Sequence, residues 1–360
     1  MKALVVGAGF SGCVAAERLA AHGHEVLVLD KREHIAGNAF DRYDFHGILI
    51  HEYGPHVFHT NHAPIEEYIS RFTSWYPYEH KTLSNVRGKL LPMPINLTTI
   101  NLLYGTDFDE KGLREFFDKV RERRDKIVSS EDYLLNLIGR ELTDIFYSGY
   151  VKKQWGVELS ELSASVVSRI PIRTTNDSRY FTDVFQGVPK NGYVELFTNM
   201  LHSPRIRVEL GATFRRGMED RYDLLVYTGA LDEYFGYSLG KLPYRSLVFR
   251  HEHHRETTCQ SVGSVVHPSL DVPYTRITEH KHLTGQNCKG TTVSIEYPSA
   301  VGDPYYPVPH ERNRALYAQY AAMAAGIPKL LPIGRLAQYQ YLNMDQAVGS
   351  ALNKIERRLR

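Results

Sequence analysis

The chain has 360 residues, 42% hydrophobic and 23% charged, an ordinary balance for a folded protein of two or three domains. Its 43 Lys and Arg nearly cancel 41 Asp and Glu, leaving a net charge of +2, so nucleic acid finds no broad positive field and any anion must be gripped locally. No apolar run approaches the roughly 20 residues of a membrane span, the opening MKALVVGAGFSG does not follow a secretory-leader pattern, and three scattered cysteines (Cys13, Cys259, Cys288) suit a reducing cytoplasm.

In chain order, residues 2–7 (KALVVG) read as a buried strand, GAGFSGCVAAERLAAHG as a helix ending near Gly23, and HEVLVLDKR as a second strand ending at Asp30. This βαβ unit carries Gly7, Gly9 and Gly12 in a GxGxxG pattern. The glycines let the backbone turn tightly and approach a pyrophosphate on the helix N-terminus, and Asp30 is placed for the adenosine ribose hydroxyls. A structural glycine turn is the alternative, but strand, turn, helix, strand and terminal acid all agree. HIAGNAF follows, with Gly37 and Asn38 just past the ribose acid, and a late apolar strand, RYDLLVYTG (221–229), returns towards the same sheet. Two-domain flavoproteins combine these features, and no second GxGxxG appears, so FAD is favoured over NAD.

The middle of the chain is helical. GLREFFDKVRERRDKI (112–127) spaces Leu113, Phe116, Phe117, Val120 and Ile127 on one face, and a second helix, capped by Ser130, stacks Leu134, Ile138, Leu142 and Phe146. From 241 to 300 short β-rich runs such as YRSLVF and TTVSIEY predict a mostly antiparallel sheet, and MDQAVGSALNKIERRLR closes the chain as an amphipathic helix. The expected class is α/β: a Rossmann-like FAD-binding domain at 1–75, completed by about 190–240 and 325–360; an inserted helical domain at 98–165; and an antiparallel β-sheet substrate domain from 76–97, 166–189 and 241–324.

Arginine and tyrosine recur around proline-bounded loops: Arg169, Tyr180, Arg276, Tyr305, Tyr306, Arg335, Tyr339 and Tyr341. Any one arginine is accounted for by a surface ion pair, but together they suit a diphosphate, whose oxygens match the planar guanidinium fork. His56 and His59 in YGPHVFHT read equally as flavin-facing or as core histidines, and lack partners for a metal. RHEHHRE (250–256) reads as a solvated edge strand, so no metal is expected. No elbow motif marks a protein nucleophile.

The segments VVGAGFSG, HIAGN, YGPHVFHT, LPMPINLTTIN, GYVKKQWG, SRIPIR, FQGVPKNGY, DVPYTRITEHK and GRLAQYQYLNMD, in this order, resemble the bacterial FAD-dependent UDP-galactopyranose mutases along the whole chain. The resemblance implies a non-redox exchange of pyranose and furanose rings in which N5 of reduced FAD acts as nucleophile at the anomeric carbon. It implies that Arg169 and Arg276 clamp the diphosphate, with Tyr180, Tyr306 and Tyr341 as hydroxyl partners. Phe146 and Tyr150 would wall the uracil, Trp155 would stand beside the sugar nucleotide, and His56 and His59 would sit by flavin and sugar. Arg335 with Met344 and Asp345 would hold the flavin end of FAD, and 160–173 would be a mobile lid. With arginines available for the phosphates, Lys152 and Lys153 are expected to be solvated. The resemblance further implies a homodimer and an external reductant such as NAD(P)H or a reductase. Asn343 stands where relatives often carry Asp, and His80, Val266 and His267 are further departures. They leave open a related sugar nucleotide, such as dTDP-6-deoxygalactose or UDP-N-acetylgalactosamine. A flavin oxidase and a non-catalytic sugar-nucleotide sensor are the rival readings.

Overall fold

A computed structural model describes residues 1–360. Its nucleotide-binding layer is a five-stranded, all-parallel sheet in the order Ile206–Glu209, Glu25–Leu29, Lys2–Val6, Leu224–Tyr227, Leu330–Pro332. Side chains of a strand alternate faces, so Ala3, Val5, Val26, Val28 and Val226 pack against the helices Phe10–Ala21, Tyr193–Leu201 and Met344–Leu359. Leu4, Leu29, Leu225 and Tyr227 face the opposite way, towards Leu231 and Tyr320. With both faces covered, these strands read as near-continuous apolar runs in sequence, as a parallel sheet requires.

The second layer is a seven-stranded sheet. Its strands Tyr244–His254, Thr291–Ser299 and Arg276–Glu279 lie side by side and antiparallel. Ser264–Val266 then joins Thr82–Val86 in the one parallel pairing. Residues 166–189 contribute their strand, Phe185–Pro189, to a separate small sheet with Phe58–Thr60 and Trp75–Pro77.

Between the sheets in sequence stand the helices Leu97–Tyr104, Glu110–Val120 and Ser130–Thr143, a wide π turn at Asp144–Ser148, and Gly149–Trp155. They share a core of Leu113, Phe117, Leu134, Ile138, Leu142 and Val151. Two sequence expectations are corrected here. The helix read as 112–127 is capped by Asp109 and stops at Val120, because RERRDK offers no apolar stripe; Glu122 N–H instead donates to the Leu135 carbonyl. The next helix is capped by Ser129, whose hydroxyl accepts from Asp132 N–H, while Ser130 Oγ donates to the Ser163 carbonyl.

A buried charge ties the far end of the large sheet together. The fully buried Glu279 carboxylate accepts from Thr291 Oγ1 at 2.7 Å and from the N–H groups of Cys259 and Gln260 at 3.0 and 2.7 Å. Burial alone would raise its pKa, but these bonds and His282 hold it at about 2. A carboxylate depressed in the folded state stabilises the fold above its unfolded pKa, and that stabilisation disappears as pH falls from roughly 4.3 through the folded value. Glu279→Gln is therefore expected to lower the unfolding free energy by about 3 kcal/mol at neutral pH and to flatten the acid limb of stability. Urea titrations at stepped pH check this; parallel acid limbs for the two proteins would contradict it.

Candidate active site

The first strand ends at Val6 and the chain turns through Gly7, whose φ of +102° is open to glycine and strained for other residues. A methyl group on Gly7 would meet Thr228 Oγ1, and one on Gly12 would collide with the Gly7 carbonyl. A Cβ on Gly37 would stand 2.9 Å from Gly9 Cα, so two glycine turns press backbone against backbone. The helix Phe10–Ala21 starts with no side-chain cap, leaving its first-turn N–H groups for a ligand. Asp30 fixes the loop by accepting from Ala8 N–H at 2.7 Å and Arg32 N–H at 2.9 Å.

These elements line a cavity of about 360 Å³ that Gly7, Gly9, Gly12, Asp30, Gly37 and Asn38 all border. Its wall includes Ala212, Phe214 and Tyr234 on the far side of the parallel sheet, and His56, Tyr305, Arg335, Asn343 and Met344 towards the large sheet. His56 Nδ1 bonds to the Gly54 carbonyl at 2.8 Å, so it carries the proton and Nε2 is left as an acceptor. Burial lowers the His56 pKa to about 4, with Arg335 and Arg276 adding to the effect, so the ring is neutral at physiological pH.

The arginines and tyrosines collect beside the His56 end. Arg335 donates to the Leu342 carbonyl at 2.5 Å and lies over the rings of Tyr341 and Tyr306, 4.9 and 5.5 Å from their centroids. Those two rings stack at 5.3 Å. Arg169 covers Tyr341 at 3.9 Å and donates to Asn343 Oδ1. Arg276 Nε and Nη2 both reach Glu296 Oε2, at 3.2 and 2.8 Å, leaving Nη1 free. Burial works against the Arg276 charge, but the Glu296 carboxylate outweighs it and raises the pKa. Burial also raises the phenols of Tyr150, Tyr180 and Tyr306, which therefore stay protonated as O–H donors.

Other residues singled out in the sequence lie elsewhere. Phe146 is 3% exposed and packs in the helical core, as does Trp155 at 8%, whose ring centroid stands 6.0 Å from that of Tyr306. His59 binds Asp183 at 2.9 Å and stacks on Phe181 at 3.7 Å, and it is absent from the cavity wall. Asp345 turns away from the cavity to accept from Thr60 Oγ1 at 3.1 Å.

Lys152 is exposed and pairs with Glu158, but Lys153 is not solvated as expected. Its ammonium donates to the carbonyls of His267, Ser269, Val272 and Tyr274 at 2.6–3.1 Å. It thereby staples GYVKKQWG to the loop before Arg276. Gln154 adds a 3.3 Å bond from Thr275, and Arg245 caps the helix end through the Lys153 and Gln154 carbonyls. Glu296 went unnoticed in sequence. The available signal was Glu296 inside the alternating strand TTVSIEY, an inward carboxylate that needs a cationic partner.

This geometry defines a two-layer protein with a Rossmann-like parallel sheet, whose glycine-lined cavity meets the arginine–tyrosine cluster at Arg335. A model of the UDP-galactopyranose mutase family matches residues 145–341, and one of NAD(P)-binding Rossmann-like domains matches 5–72. A probable UDP-galactopyranose mutase of Klebsiella pneumoniae is 36% identical over 97% of this chain and 92% of its own. A dTDP-fucopyranose mutase of Escherichia coli is 35% identical over 98% and 96%. The crystal structure of a reduced UDP-galactopyranose mutase shares the fold at a TM-score of 0.81 and 15% identity, covering 99% of this chain and 93% of the other. The chain belongs to the UDP-galactopyranose mutase family and is an isomerase of that type. No helix is long and apolar enough to cross a membrane.

Lys153→Met removes the shared donor of four carbonyls. It is expected to lower stability by about 3 kcal/mol and leave the nucleotide cavity formed. Urea unfolding measures the first effect and cofactor content of the purified protein the second; an unchanged unfolding midpoint would contradict the staple.

Proposed function

We propose that the protein holds FAD in the glycine-lined cavity and interconverts the pyranose and furanose forms of UDP-galactose. The observation that carries this reading is the grouping of Arg169, Arg276 and Arg335 with Tyr150, Tyr180, Tyr306 and Tyr341, a cluster that adjoins the cavity through Arg335, which lines it together with His56. The residues present fit the cofactor: two glycine turns admit a pyrophosphate, and Asp30 stands at the end of the second strand for a ribose. Bound in its reduced form, FAD supplies the nucleophile for the anomeric carbon with no net redox change. NAD(P)H or a reductase then needs to act only when the flavin has been oxidised.

The chain's own residues do the rest. Arg276, held by Glu296, and Arg169, on the loop before Ile170, grip the diphosphate, stabilise the charge that develops as it leaves and keep it close for the return. Protonated Tyr180 and Tyr306 donate to the same oxygens, and Tyr150 offers its ring to the base. His56, neutral, offers Nε2 as an acceptor at the cavity wall. The chemistry requires no protein nucleophile.

A second reading, the same exchange on dTDP-fucopyranose, is favoured by one observation. Asn343 Oδ1 is already engaged by Arg169 at the cavity wall, so this amide is a weaker partner for a sugar hydroxyl than a free carboxylate.

Incubating the dithionite-reduced protein with each sugar nucleotide and separating the products tests both. Furanose is expected from UDP-galactopyranose; turnover of the dTDP-6-deoxy sugar alone selects the second reading, and turnover of neither rejects both. Arg276→Ala is expected to lower kcat/KM about 10²- to 10³-fold while the bound flavin spectrum is retained, a comparison read by steady-state kinetics and absorbance. Tyr150→Ala is the cleaner probe of base binding, because Trp155→Ala also opens a core cavity.

A further inference from the structure

The run RHEHHRE offers no thiol, but the fold brings one to it. The strand Tyr244–His254 ends with His254 paired to Thr291, and the chain then turns back. The turn sets a His254 ring nitrogen, a Glu256 carboxylate oxygen and Cys259 Sγ within 4.8 Å of one another. None of the three side chains bonds to another group of the protein, and Cys259 is a free thiol.

We propose that His254, Glu256 and Cys259 form a zinc site that clips this turn to the edge of the large sheet, remote from the reaction. Donor atoms around a tetrahedral zinc stand roughly 3.5 Å apart, so small side-chain rotations close the set. One thiolate, one imidazole and one carboxylate suit zinc, with water in the fourth position; magnesium and calcium demand oxygen alone.

The turn is already shaped for the task. Buried Glu279 accepts from the N–H groups of Cys259 and Gln260, and the Lys281 ammonium donates to the carbonyls of Thr257, Cys288 and Gly290 at 3.2, 2.6 and 2.9 Å. The backbone that presents Cys259 is therefore fixed from beneath by two opposite charges, the kind of support that makes a metal site precise. Binding forms the Zn–S bond and releases the thiol proton to solvent. Glu279 lies three residues along its strand from Arg276, about 10 Å away at strand rise, so the clip does not touch substrate.

The test uses the FAD-loaded protein stripped of metal with a chelator. Zinc chloride is titrated by calorimetry, and iodoacetamide labelling of Cys259 is followed by peptide mass spectrometry. One zinc per chain is expected, with labelling of Cys259 slowed at least about tenfold and that of Cys288 unchanged. Cys259→Ser and His254→Ala should each weaken zinc binding by at least about tenfold and keep flavin absorbance and mutase turnover. Undiminished labelling of Cys259 in zinc, or equal zinc affinity in Cys259→Ser, overturns the site.

Discussion

The pairing of Arg276 with Glu296 is the interaction on which the site depends. The two residues are direct partners in the ladder between Arg276–Glu279 and Thr291–Ser299, and Glu296 is almost wholly buried. Burying two charges is unfavourable against an apolar pair of the same volume, and removing one partner typically costs 3–5 kcal/mol. The arrangement therefore makes sense as placement: it holds a permanent positive charge at one point beside the nucleotide cavity, with Nη1 still free. The surrounding contacts serve that point. Thr275 N–H and the Glu296 carbonyl bond at 2.9 Å, Thr275 reaches Gln154, and Lys153 and Arg245 lock the helix that carries Gln154.

The other half of the site is set by close backbone approach. Gly37 packs against Gly9 so closely that a Cβ there would stand 2.9 Å from Gly9 Cα, while Cβ atoms on Gly7 and Gly12 would collide with Thr228 Oγ1 and the Gly7 carbonyl. Because the late strands 224–227 and 330–332 return to the same sheet, the chain leaves it again through Gly334 and Arg335 directly beside those turns. Arg335 consequently faces the cavity and the stacked tyrosines at once. A chain of net charge +2 thus gathers Arg169, Arg276 and Arg335 around one set of tyrosines beside the cavity, a local concentration of positive charge on a nearly neutral protein.

Much of this was legible in the sequence where a local rule applies. The βαβ unit follows from apolar runs and glycine spacing, the helical insert from 3.6-residue periodicity, and the family from long, rare segments in order. Three-dimensional partnerships were not legible. Lys153 looked like a solvated lysine because nothing local says that four carbonyls over a hundred residues later will converge on it. Phe146 and Trp155 sit where the family pattern suggests a substrate wall, yet the helical core claims most of their surface. Ser129 rather than Ser130 caps its helix, a one-residue difference that adjacent serines cannot reveal. Asp345 shows the same limit, since its exchange of the cavity for Thr60 depends on a strand far away in sequence.

The central claim is that the arginine–tyrosine cluster and the glycine-lined cavity are one continuous site. A crystal structure of the FAD-bound protein with UDP tests it most directly. The account predicts the diphosphate between Arg169 and Arg276, within hydrogen-bond reach of the Tyr180 and Tyr306 hydroxyls, with the uracil against Tyr150. A diphosphate bound elsewhere, with Arg276 still engaged only by Glu296, would contradict it.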